Sequence, residues 1–308
     1  MEVVLVNETR VTELGGISGK VLHGRGMSGA FVSDALARGL QVPAMWSRAV
    51  LCSWAASPLR VQGVSISSVL DRGDNLPQDS DTGQDWFWVI FLMARPKSGI
   101  SMLSLQRMLK IKTYKTIWTM GHKIRKAMAD RDAHYKLGGL VEMDDSYFGG
   151  AKPGKRGRGA AGKATVVVSV EDRGRKAGFA KMHKVENVRS DNIRPIADNG
   201  FAEGTIARTD GLRAYEAAFR DSHHKHEAVL VGSGKQAPKL LPWVHTLLAN
   251  IKGNIRGVYK GVHHKHLQRY LDEFCYRHNR RFWEDQLFGR LLHACLRTPT
   301  ITFSELRA

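Results

Sequence analysis

An apolar lead-in that runs straight into acidic residues limits what this chain can become. Residues 140–150 read Leu140-Val141-Glu142-Met143-Asp144-Asp145-Ser146-Tyr147-Phe148-Gly149-Gly150. Apolar and β-branched residues open a strand, and two aspartates interrupt it where a strand is still shielded. A solvated turn is seldom flanked on both sides by Val141, Met143, Tyr147 and Phe148. A carboxylate on a rigid, partly buried strand must be paired or must hold a metal. An edge strand with exposed acids is the other reading, and this stretch alone leaves both open.

A second acidic strand end shifts the balance toward the first. Gly204-Thr205-Ile206-Ala207-Arg208-Thr209-Asp210-Gly211 finishes a strand at Asp210, turns at Gly211 and enters a helix over Leu212 to Phe219. Between the two acidic strands, Thr165 to Glu171 reads as a strand, 172–176 as a turn and Gly178 to Val185 as its hairpin partner. A short helix is expected near Asp191 to Asp198, and a fifth strand over Ala228 to Val231. Long helices follow from about Leu241 and from His264 to Arg280. This order predicts an RNase H-like fold of the α/β (α+β) class, a mixed sheet flanked by helices. In that fold the first and fourth strands are neighbours. Asp144 and Asp210 then hold two metal ions for in-line phosphoryl displacement. A third group comes from a later helix. His245 and Lys252, two helical turns apart, share one face of it.

Charge says what such a site acts on. The chain carries 47 Lys+Arg against 29 Asp+Glu, a net charge of +18. Residues 1–84 hold 7 and 8 of these, so residues 85–308 hold 40 and 21, a balance of +19. A segment this basic attracts polyanions, of which nucleic acid is the commonest in a cytosol. A solvated cationic surface is the plain alternative. The loop after the first strand adds Lys152, Lys155, Arg156 and Arg158 among glycines, and suits a phosphate backbone.

The chain divides in three. Residues 1–84 show no long amphipathic repeat, end in a polar linker over 71–83, and receive no role. Residues 85–135 are helical. Asp85 caps a helix to about Ala94, Ser101 caps one over Met102 to Leu109, and a long helix runs from Tyr114 to about Asp132. The long helix has an apolar stripe of Ile117, Met120, Ile124 and Met128. Opposite stand Lys115, His122, Lys123, Arg125 and Lys126. A helix, a short turn and a basic helix form the layout of a helix-turn-helix DNA reader; two packed helices with a solvated cationic face fit equally. Residues 136–308 hold the acidic strands. Three scattered cysteines, Cys52, Cys275 and Cys295, fit a reducing cytosol. No apolar run reaches membrane-spanning length, so a cytoplasmic, nucleoid-associated protein is expected.

From Asp85 to Ala308 the chain resembles the bacterial insertion-sequence transposases of the ISXO-like group, which carry a DDE-type RNase H-like core. The resemblance rests on Trp86-Phe87, His122-Lys123-Ile124-Arg125-Lys126-Ala127-Met128, the 142–150 motif and Thr209-Asp210-Gly211. It continues through His245-Thr246, Asn250-Ile251-Lys252, the Tyr270 to Arg277 segment and Asn279-Arg280-Arg281. It implies metal-dependent DNA strand cleavage and strand transfer at terminal inverted repeats, two Mg²⁺ or Mn²⁺ ions as cofactor, double-stranded terminal-repeat and target DNA as partner, and a homo-oligomer on DNA. A non-catalytic DNA-binding derivative and an RNase H-like nuclease are the alternatives. Two departures stand out. Members usually begin with a zinc ribbon, which residues 1–84 lack. The usual third glutamate is replaced by His245, a poor Mg²⁺ ligand beside oxygen donors. Asn250 is a rival for that place and Glu273 a weaker one. Arg280 and Arg281 either meet DNA phosphate or pair with acids of their own helix.

Overall fold

A computed structural model of the chain describes residues 60–61, 64–65, 82–95, 97–149, 163–220, 222–229, 237–299 and 301–307. The chain forms two compact units, Met1–Asp71 and Arg72–Ala308. In the first, Arg60–Val61 pairs antiparallel with Val64–Ser65.

Five strands make one sheet in the second unit: β1 (Leu140–Phe148), β2 (Ala164–Asp172), β3 (Ala177–Val185), β4 (Ile206–Thr209) and β5 (Lys225–Ala228). Their order is β3-β2-β1-β4-β5. β1, β2 and β3 are antiparallel neighbours, while β4 runs parallel to β1 and β5 parallel to β4. Parallel neighbours need crossovers. Helices α4 (Ser190–Gly200) and α5 (Arg213–Phe219) supply them. An antiparallel meander continued by two parallel strands beyond the first is the RNase H-like topology expected from the sequence.

β2 shows why the sheet is central. Val166, Val167, Val168 and Val170 are all fully buried, as a strand covered on both faces requires. Val167 joins Val141, Met143, Ile193 and Tyr215 in the core under α4 and α5. Val166, Val168 and Val170 join Phe148, Val244, Leu248 and Leu271 in the core under α6 (Pro242–Gly257) and α7 (Leu267–Asn279). The fifth strand covers Lys225–Ala228 and meets the expected stretch at Ala228; Leu230 and Val231 lie outside the described residues. It is an edge strand with mostly exposed side chains, so main-chain pairing to β4 decides its place, not hydrophobicity. His226 of this strand stacks on Phe219 at 5.3 Å.

Helices α1 (Thr82–Ala94), α2 (Met102–Leu109) and α3 (Tyr114–Ala133) precede the sheet. Ser101 caps α2, its hydroxyl accepting from the Ser104 N–H at 3.1 Å. Thr113 does the same for α3 with the Thr116 N–H at 3.2 Å. The predicted stripe Ile117, Met120, Ile124 and Met128 is buried. The opposite face differs from the expectation: His122, Lys123 and Arg125 are buried as well. α3 is covered on more than one side, because α2, α7 and α8 (Leu287–Arg297) all pack on it.

Charges on this covered face are matched from α7. Arg125 Nε donates to Glu273 Oε2 at 2.7 Å. Tyr259 Oη donates to Glu273 Oε1 at 2.9 Å, and Arg277 pairs with that same oxygen. Glu273 and Arg125 have no solvent contact. The Arg125 guanidinium also lies over the Tyr270 ring at 4.1 Å. The two guanidinium charges hold the Glu273 carboxyl below its ordinary value against the pull of burial. Lower on the same helices, Arg280 pairs with Asp132 at 2.6 Å. Gly99 makes room beside this network: its φ is +84°, and a Cβ there would lie 2.2 Å from Tyr259 Oη.

Removing one partner of a buried ion pair strands the other, at a cost of about 3–5 kcal/mol. Glu273→Ala is expected to lose about that much stability in denaturant unfolding, because two buried guanidinia remain. A loss below about 1 kcal/mol, the range of a surface pair, would contradict the network's role.

His122 gives a pH dependence. It is fully buried, neither ring nitrogen has a hydrogen-bond partner among the described residues, and its ring lies 4.1 Å from that of Trp118. Burial, with Arg125 next, lowers its pKa to about 2. The unfolded chain takes this proton near pH 6.5 and the folded one does not. The contribution is therefore complete above pH 6.5 and is lost, at about 1.4 kcal/mol per unit, as pH falls toward 2. His122→Phe should lose less stability than the parent between pH 7 and pH 5. Equal losses by chemical unfolding would refute this.

Candidate active site at the ends of β1 and β4

Alternation along β1 divides its side chains between two faces. Val141 and Met143 enter the core under α4 and α5. Glu142, Asp144, Ser146 and Phe148 take the face covered by α6. The parallel register sets Glu142 opposite Arg208. Two residues further along stand Asp144, in the middle of β1 just past its paired stretch with β4, and Asp210, just past the end of β4. Asp210 closes its strand with a local turn. Its Oδ1 accepts from the Leu212 N–H at 3.1 Å, and Gly211 takes the φ of +75° that the turn needs.

Helix α6 begins with Pro242 at its first position, and its N-cap Leu241 offers no side-chain acceptor. The first amides of a helix lack internal partners. Glu142 supplies the acceptor from the strand below. Its Oε2 takes both the Trp243 and Val244 N–H groups at 2.9 Å. Asp172 at the end of β2 accepts from Trp243 Nε1 at 3.1 Å. Glu142 is fully buried, and its Oε1 has no hydrogen-bond partner among the described residues. Burial pushes its pKa up to about 7, opposed by the two amide bonds.

One residue past this contact, His245 Nε2 stands 3.8 Å from Asp144 Oδ2. That is beyond hydrogen-bond reach, and Nε2 has no hydrogen-bond partner among the described residues. Burial first, and the Lys252 charge second, lower the imidazole pKa and keep the ring neutral at neutral pH. Two turns on, Lys252 Nζ donates to Ser146 Oγ at 2.6 Å and lies 5.5 Å over the Phe148 ring. Burial lowers its pKa, with Asp144 acting against that shift. His245 and Lys252 thus reach the same face of β1. Asn250 points elsewhere, into a cavity with Asn254 and Arg277.

Among the described residues no three His, Cys, Asp or Glu groups are gathered tightly around one point. The donors on β1 and just past β4 still suit a divalent cation. Asp144 and Asp210 offer hard carboxylate oxygens on a rigid frame, and the unbonded His245 Nε2 adds a softer nitrogen.

The predicted DNA-binding cations fare unevenly. Lys123, Arg125 and Arg280 are buried, the last two in ion pairs, and none presents its charge to a phosphate. Lys126 is partly exposed and pairs with Asp130. Arg281 donates to the His278 carbonyl at 2.7 Å and to the Ala177 carbonyl, and stacks at 4.4 Å on Phe282. The cationic face of α3 is interior because several helices cover it, a number the sequence does not reveal. Glu273 is no third ligand either, since two arginines consume it. Lys152, Lys155, Arg156 and Arg158 lie outside the described residues. Sequence reasoning missed Glu142, Ser146 and Asp172. A period of two along β1 puts Glu142 and Ser146 on the face of Asp144, and was the available signal.

Comparison with known proteins gives a family-model match over part of the chain and weak structural likenesses. "Crystal structure of a pre-cleavage Mos1 transpososome" is 11% identical, with 88% of this chain and 94% of that chain covered and a TM-score of 0.29. "Mos1 transposase paired-end complex with left transposon end" is also 11% identical, with 88% and 94% covered and a TM-score of 0.27. The fold assignment rests on strand order and not on these likenesses. No curated protein matches the chain. The family described as the ISXO2-like transposase domain matches residues 136–279, a span that takes in all five strands, Asp144, Asp210, His245 and Lys252. Over residues 136–279 this chain is similar to the ISXO2-like transposase domain family.

Proposed function

We propose that this protein is a DDE-type transposase that cleaves and transfers DNA strands at the terminal inverted repeats of an insertion sequence. The observation that carries the reading is one face of an RNase H-like sheet. There Asp144 stands mid-strand on β1, Asp210 follows the end of the neighbouring β4, and α6 brings His245 to 3.8 Å from Asp144. Asp144 and Asp210 are the residues that would hold Mg²⁺ or Mn²⁺. Such an ion, when bound, supplies Lewis-acid activation of the scissile phosphate. The chain's own groups do the rest. Neutral His245 offers Nε2 to orient the attacking water or 3′-hydroxyl. Lys252, held by Ser146, offers an ammonium to a phosphate oxygen. Glu142 fixes the start of α6 and so the position of His245. Duplex DNA is the partner, with a homo-oligomer assembling on it. Residues 136–308 form the catalytic part, residues 85–135 support it and residues 1–84 have no assigned role.

Asp144→Asn and Asp210→Asn are expected to abolish cleavage of an inverted-repeat duplex with Mg²⁺ while binding persists in a gel shift. Full cleavage by either variant removes that residue from the site. His245→Ala should lose most cleavage and Asn250→Ala little. The reverse pattern would hand the third place to Asn250. His245→Glu should shift preference toward Mg²⁺, as an oxygen donor favours the harder ion.

Glu142→Ala is expected to speed amide exchange at Trp243 and Val244 and to lower kcat more than KM. Glu142→Gln, which keeps an acceptor oxygen, should retain most of both. Unchanged exchange in the alanine variant would show that the cap does not hold the helix.

A further inference from the structure

The chain between α7 and α8 turns over residues 280–286, away from the carboxylates. Two adjacent aromatic side chains stand in solvent there, Phe282 at 60% exposure and Trp283 at 39%. Cations accompany both rings. Arg281 lies 4.4 Å and Lys176 5.3 Å from the Phe282 centroid, and Arg290 lies 5.6 Å from that of Trp283. Beside the turn is a cavity of about 310 Å³ between the end of α1, α6 and α7. Arg95, Lys97, Arg277 and Arg281 line it together with the amides Asn250 and Asn254. Its one lining acid, Glu284, pairs with Lys97 at 3.2 Å. Arg277 is 5% exposed, and its Nε has no hydrogen-bond partner among the described residues.

The chemistry of this patch selects its ligand. Exposed aromatic rings with cations lying over them match a polymer that offers flat bases and phosphates together. A duplex keeps its base faces stacked inside, so a duplex meets only the cations. An apolar protein surface would leave the cations without partners. We propose that the 280–286 turn and the adjoining cavity bind single-stranded DNA, with bases stacked on Phe282 and Trp283 and phosphates held by Arg95 and Lys97. This deepens the DNA-binding part of the proposed function and does not depend on cleavage.

The test is anisotropy of a fluorescein-labelled oligothymidylate with the full-length protein in a chelator, beside a blunt duplex of equal length. Removing a stacking aromatic costs about 1–3 kcal/mol per base, about five- to 150-fold in Kd. The double variant Phe282→Ala/Trp283→Ala is expected to lose at least tenfold for the oligothymidylate and less than twofold for the duplex. Phe282→Tyr/Trp283→Phe should bind nearly as the parent. Arg95→Glu, at an exposed position, should weaken oligothymidylate binding at least threefold and serves if the double variant does not fold. Parent-like binding by the alanine variant, or equal loss for both ligands, would overturn the proposal. So would a change of oligomeric state in light scattering without a change in oligothymidylate affinity, which marks a contact between copies of the chain. If the site binds single strands and the protein never cleaves, the inference stands and transposition falls.

Discussion

Glu142 does from a strand what a capping residue ordinarily does from the helix itself. Helix α6 has no acceptor at its own start, so the two amides of Trp243 and Val244 would be buried and unpaired without it. An unpaired buried amide costs on the order of 1–3 kcal/mol. A carboxylate also meets the positive end of the helix dipole. Strand and helix are thereby joined at one oxygen atom, and the turn of α6 that follows carries His245 to Asp144. The geometry of the candidate site depends on this junction more than on any contact within the site.

A second buried acid performs a similar service on the far side of the same helical layer. Glu273 collects Arg125 from α3, Arg277 from its own helix and Tyr259 from the loop between α6 and α7. The helical segment before the sheet is therefore fastened to the sheet's covering helix by charge as well as by apolar packing. Such pairs add little net stability against a hydrophobic equivalent, because desolvation offsets attraction. They do fix which residues face each other. A cationic helix face was thus converted into an interior one, at the expense of its availability to DNA.

The strands and their order were legible in the sequence because alternation, turns and the two acidic ends all repeat at short range. Asp144 and Asp210 were legible for the same reason. Ser101 announced its helix, and the stripe on α3 announced its buried side. What stayed hidden depends on contacts far apart in the chain. Glu142 and Trp243 are separated by about a third of the sequence, as are Asp172 and the same tryptophan by somewhat less. Nothing local to Arg125 marks it as a partner of Glu273. Of the edge strand β5 only Ala228 was legible, because Lys225, His226 and Glu227 pair through main-chain bonds and carry no apolar signal.

The parallel register of β1 and β4 has a consequence for how the gene tolerates length changes. Side chains along a strand alternate faces, so a shift by one residue exchanges inside for outside. Deleting a single codon within Ile206–Thr209 would leave a strand in place but turn Asp210 away from Asp144. The same deletion in the bend at 186–188, before α4, moves no strand residue relative to its neighbour. A change of length is therefore tolerated in the bends and loops and not within the four residues of β4.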